Sequence, residues 1–163
     1  MRNGVMPCDR RKPASRVAVI EADNYEDSLE ERLFPWIQQF TPSVLGRSVL
    51  LKPNLVEDLP GPVNTHPALI KAAARCLFSL GAREVVVGEG PGHQRDTEAI
   101  LISTGLGTAL ESVGVRFVDL NRDALSLIPL KSAFSGLNHL WLPQTVLAAD
   151  IVVSMPKVKT HHW

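Results

Sequence analysis

Three stretches of this sequence gather groups able to hold an anion or move a proton. Lys52 and Asn54 flank a proline in "VLLKPN", Glu89 stands between glycines in "GEGPGHQR", and "SMPKVKTHHW" carries Lys157, Lys159, Thr160 and His161. Lysine ammonium groups neutralise anionic oxygens, asparagine and threonine orient them, and a glutamate or histidine transfers the proton. If the backbone stays extended beyond Pro156, side chains alternate: Lys157, Lys159 and His161 share one side, and Val158, Thr160 and His162 the other. Two ammonium groups about 7 Å apart on one side of an extended chain repel each other unless an anion or a carboxylate such as Glu89 lies between them. The plainer alternative is a basic strand end that does no more than meet solvent. Glu89 itself is open between a general base or metal ligand and a structural partner of Lys52 or Lys157.

A fourth candidate is Thr65-His66, immediately before Pro67. Either residue can cap a helix that starts there, or present its N–H and side chain to an anion at the positive helix end. His93 and His139 are bystanders. Asp119 and Asn121 are either ligands or strand-end turn formers. The glycine loop has the spacing G-x-G-x-G, which is neither the dinucleotide fingerprint nor a Walker A loop, and it puts an acid where a pyrophosphate would sit.

The elements that must position these residues follow from hydrophobic period. "VAVIEA", "VLLKPN", "EVVVGEG", "VRFVDLN" and "DIVVSMP" read as strands, each a near-continuous apolar run of the kind buried on both faces. Between them lie helical patterns: Leu29, Leu33, Trp36 and Phe40 after a cap at Asn24, with Pro35 kinking it; Leu69, Ala73, Cys76 and Leu80, closed by Gly81; and residues 96–113, broken near Gly105 and Gly107. A short strand pair is expected around Leu127 and Leu140, then a short helix begun by Pro143. Strands alternating with helices predict a three-layer α/β fold, a mostly parallel, Rossmann-like sheet with helices on both faces. In such sheets ligands bind beyond the carboxyl ends of the strands, where Lys52, Asn54, Glu89 and the Lys157–His161 run all fall.

Composition narrows the partners. Seventeen basic and seventeen acidic residues cancel, which argues against nucleic acid held by a global positive field and against a polybasic membrane anchor. Two cysteines, Cys8 and Cys76, are too few for a disulfide framework or a four-cysteine metal or iron–sulfur site. Residues 1–15 are basic, contain prolines and lack an apolar core, so a disordered leader ahead of an α/β domain over 16–163 is expected, with a cytoplasmic location.

Taken together, "LLKPNLV", "NTHPALIKA", "GAREVVVGEGPG" and "VSMPKVKTHHW" resemble domain-of-unknown-function family 362, over about Val49 to Trp163. The resemblance puts the family's polar positions on Lys52, Asn54, Thr65, His66, Glu89, Lys157, Lys159, Thr160 and His161. It implies that the α/β domain is the N-terminal part of a larger one, and, since some members carry a ferredoxin-like module, that an iron–sulfur protein is a partner. Two functions follow as expectations. The first is part of an enzyme for a small anionic substrate, a carboxylate or phosphate ester. Glu89, His161 and Lys157 would be catalytic there, and Lys52, Asn54, Thr65, His66, Lys159 and Thr160 would bind substrate. A divalent metal on Glu89 and a histidine is a variant, although no metal-ligand set is identified and the cofactor is unknown. The second is a non-catalytic module docking to an iron–sulfur or redox partner.

Overall fold

The structure, a computed structural model, describes residues 16–25, 28–58, 62–92, 94–131 and 134–160. Four strands, β1 (Ser48–Pro53), β2 (Glu84–Glu89), β3 (Arg116–Asp119) and β6 (Ile151–Met155), form one parallel sheet in the order β3-β2-β1-β6. Leu50 lies beside Val86 on one side and Val152 on the other. Helices α1 (Leu29–Phe40), α2 (Pro67–Ser79), α3 (Thr97–Ser103) and α4 (Leu106–Glu111) alternate with the first three strands. A separate antiparallel pair, β4 (Leu125–Pro129) and β5 (His139–Pro143), then leads through α5 (Gln144–Ala148) into β6. The α/β class expected from the alternating pattern is the one observed.

The core lies on one face of the sheet. Val49, Leu51, Val85 and Val87 pack there against Ile70, Ala73, Ala74 and Leu77 of α2 and against Ile100, Leu106 and Leu110 of α3 and α4. Burying one such side chain fully stabilises the fold by about 1.5–3 kcal/mol. Pro67 occupies the first turn of α2, where its missing N–H costs nothing, and the extended His66 caps it, Nδ1 accepting from Ala68 N at 3.2 Å. Gly81 turns the chain out of α2 at φ +88°, a left-handed conformation that favours glycine over any residue with a Cβ. The opposite face carries Ser48, Leu50, Val86 and Val152, with α5 set against it across a cavity of about 310 Å³.

At the amino edge of the sheet, Asp150 accepts from Ser48 N (2.8 Å) and Ser48 Oγ (2.9 Å). These bonds pin β6 to β1 and hold the Asp150 carboxyl below its ordinary pKa.

Two local expectations need correction. Val17 to Ala22 do not form a strand: Val17 and Val19 are 82% and 93% exposed. This β-branched run pairs with neither of the sheet's edge strands, β3 and β6. It runs instead along α1, with the Arg16 guanidinium 5.4 Å from the Phe40 ring centre and Arg32 Nη1 donating to Glu21 O at 2.8 Å. The cap of α1 is Ser28 (φ 95°), not Asn24. The leader expected over residues 1–15 lies outside the described residues. Among the described residues, no helix is long and apolar enough to cross a membrane.

Candidate functional site

The chain steps from β1 to β2 to β3 in one direction and then returns to place β6 on the free side of β1. The junction of β1 and β6 is therefore the point where strand order reverses, and the crevice beyond the carboxyl ends of such a pair is where doubly wound sheets bind ligands. Lys52 and Asn54 leave β1 there, and Lys157 and Lys159 leave β6.

Lys52 is bound to Glu89 at the end of the neighbouring β2. Its ammonium meets Oε1 at 2.9 Å and Oε2 at 2.7 Å. The Glu89 side chain is only 10% exposed against 43% for Lys52, so the acid is sunk and the base half open. Gly90 N adds a third contact, donating to Oε1 at 2.8 Å. A Cβ at Gly90 would fall 2.5 Å from Asn121 Oδ1 and would force that carboxamide, held by Asn121 Nδ2 donating to Pro91 O at 2.8 Å, to shift. The alternative pairing of Glu89 with Lys157 is not the one formed. Lys157 extends from β6, one strand further away.

Asn54 and Thr65 tie the tips of β1 and β6 together. The Thr65 hydroxyl, 2% exposed, donates to Met155 O at 2.7 Å and accepts from Asn54 N at 2.9 Å. Asn54 Nδ2 donates to Val63 O at 2.8 Å. One side chain at the start of α2 thus ties the end of β1 to the end of β6. Asn64, which the sequence did not single out, works the same way, with Oδ1 accepting from Val56 N and Nδ2 donating to Glu57 O, both at 2.7 Å.

The tail of β6 alternates as an extended chain must: Lys157 and Lys159 are half-buried, while Val158 and Thr160 are exposed. Lys159 Nζ donates to Val63 O at 3.4 Å. Lys157 Nζ donates to Tyr25 Oη at 3.1 Å and lies 5.5 Å from that ring's centre. Tyr25 in turn stacks on His66, centroids 3.9 Å apart and planes 7° from parallel. Partial burial, and then the Lys157 charge, lower the His66 pKa from its ordinary 6.5, which keeps Nδ1 unprotonated for its capping bond. His161, expected to be catalytic, lies outside the described residues, as does His93.

Tyr25 is the chief member of this cluster missed in the sequence. It is the chain's single tyrosine, in an irregular segment with no periodicity to place it over α2. Two further ties border the crevice. Arg95 meets Glu57 at 3.6 Å, joining the loops after β1 and β2, and Thr97 Oγ1 donates to Asp119 Oδ2 at 2.7 Å. Asp119 and Asn121 thus act as turn and loop anchors at the end of β3. Among the described residues, no three His, Cys, Asp or Glu side chains cluster closely enough to hold a metal ion.

The chain belongs to the family described as domain of unknown function (DUF362), whose profile matches residues 49–163. It is also similar to a thylakoid-associated protein, sll1697, of Synechocystis sp., at 26% identity over 118 residues, covering 71% of this chain and 35% of that protein. The chain therefore spans about a third of the length of the curated relative it matches. No solved structure matches it.

Proposed function

We propose that this member of the DUF362 family binds a small anionic ligand, a carboxylate or phosphate ester, in the crevice where β1 and β6 part, with Glu89 placed to accept a proton from it. The supporting observation is the Lys52–Glu89 pair at the carboxyl edge. An ammonium has three N–H donors and Glu89 engages it through two contacts, so the half-exposed Lys52 retains capacity to meet an incoming oxygen. Lys157 and Lys159 add positive charge from the adjacent strand end. Asn54 and Thr65 enter as the scaffold of the crevice. Thr160 and His161 follow on the same tail as further ligand contacts in this reading.

Calorimetric titration of the full chain with inorganic phosphate, and separately with succinate, at low ionic strength tests the proposal. At least one should bind, and Lys157→Ala and Lys52→Met should each weaken it about tenfold, the loss of one charge-assisted contact. Absence of binding by both anions, or equal binding by the wild type and both variants, would overturn it and favour a docking surface for a redox partner.

A further inference from the structure

Arg16, Glu21 and Tyr25 of the segment 16–25 each touch the body of the protein. Arg16 lies over Phe40, Glu21 O accepts from Arg32, and Tyr25 stacks on His66. The hydrogen bonds Arg32 to Glu21 O and Lys157 to Tyr25 are exposed, and Val17 and Val19 bury almost nothing, while Ala18 and Ile20 are half-buried. A strap held this way opens at small cost compared with unfolding the sheet. Tyr25 reaches the carboxyl end of β6, where its hydroxyl oxygen sits on Lys157 Nζ at 3.1 Å. An acceptor oxygen at hydrogen-bond distance from that ammonium occupies a position that an anionic ligand's oxygen would take.

We infer that Tyr25 is a positioning residue that governs access to the anion site: in the empty protein the strap parks Lys157 on its hydroxyl, and the ligand competes with that oxygen for the ammonium. This rests on the reading of the β1–β6 crevice as an anion site. The Tyr25–His66 stack supplies the anchor that returns the strap, since the rings meet face to face over the start of α2, while the hydroxyl supplies the competition. The two roles separate by substitution. Tyr25→Phe keeps the ring on His66 and under the ammonium but removes the acceptor; Tyr25→Ala removes both.

Phosphate titration of the wild type, Tyr25→Phe, Tyr25→Ala and Lys157→Ala is the first arm. Tyr25→Phe should bind phosphate about three- to tenfold more tightly, the worth of one freed charge-assisted donor at an exposed site. Lys157→Ala should bind more weakly than the wild type. A second arm needs no ligand. Acetic anhydride labelling followed by peptide mass spectrometry should modify Lys157 about two- to fivefold faster in Tyr25→Phe than in the wild type, with Lys71 on α2 as the internal reference. If phosphate binding is lost in Lys157→Ala but is the same in Tyr25→Phe and the wild type, the crevice remains an anion site and the gating role of Tyr25 is wrong. Unchanged labelling of Lys157 in Tyr25→Phe overturns it as well. If phosphate does not bind the wild type or Tyr25→Phe, the anion-site reading falls and takes this inference with it.

Discussion

Replacing Thr65 with valine removes one hydroxyl and keeps the shape of the side chain, yet the crevice is built around that hydroxyl. Thr65 is 2% exposed; it accepts from Asn54 N and donates to Met155 O. Its own N–H donates to Asn54 O at 2.9 Å, a bond that the valine keeps. The variant strips one backbone N–H and one backbone carbonyl of their side-chain partner, each costing about 1–3 kcal/mol when left buried. Some water reaches a strand end, so the expected loss is about 2–4 kcal/mol in urea denaturation, or about 5–15 °C in melting temperature for a domain of this size. Thr65→Ser keeps both bonds and loses one methyl group, so it should cost only about 1 kcal/mol. A valine variant that melts within about 2 °C of the wild type, or a serine variant as damaged as the valine one, would refute the bridging role. If Thr65 touched the ligand directly instead, the valine variant would keep its stability and lose phosphate affinity.

Lys52→Met leaves a sunken carboxylate without its ammonium; because Lys52 is half open, the loss should be about 1–2 kcal/mol in urea denaturation rather than the 3–5 of a fully buried pair, and adding Glu89→Gln should recover most of it. The depressed pKa of His66 means that the unfolded chain binds its proton more readily. The stability it contributes is therefore complete above the unfolded value near 6.5 and drains away as pH falls below it. His66→Asn, which keeps a capping oxygen and does not titrate, should flatten the melting-temperature profile between about pH 5 and 7. Burial, and then the neighbouring Glu30, push the Cys76 thiol up to about 11. In a Cys8→Ser background, Ellman's reagent at about pH 8 should label Cys76 only at the rate of unfolding, because the thiolate is the nucleophile.

Much of the fold was legible because burial on both faces forces a recognisable composition. Val49–Leu51 and Val85–Val87 have no room for polar side chains, and the sequence supplies none. The break between α3 and α4 was legible in Gly105, which takes a positive φ of 71°, and the β4–β5 pair in the apolar runs that place Leu127 opposite Trp141. Val17 to Ala22 misled because strand propensity describes what a segment tolerates and does not by itself bring it to a sheet edge. The partner of Glu89 was not legible for a different reason. Lys52 and Lys157 both follow apolar strands, and only the order β2-β1-β6 makes one of them adjacent and the other a strand too far.

The polar residues of the rim do different work, and the hydrogen-bond count shows the division. Thr65 spends its hydroxyl proton on Met155 O and accepts from Asn54 N, while the Asn54 carboxamide donates to Val63 O. Side chains so engaged fix the distance between the tips of β1 and β6. The lysines are engaged differently. Each reaches an acceptor that a ligand can replace: a carboxylate for Lys52, a phenol for Lys157 and a long carbonyl contact for Lys159. An ammonium retains its charge whichever acceptor it meets, and the attraction between opposite charges is not used up by one geometry. Threonine and asparagine thus fix the spacing of the strand tips, whereas in the proposed reading the lysines set what the site attracts. If the site takes an anion as proposed, a neutral ligand of the same size would gain nothing from the lysine charges, so the arrangement would select for negative charge before it selects for shape.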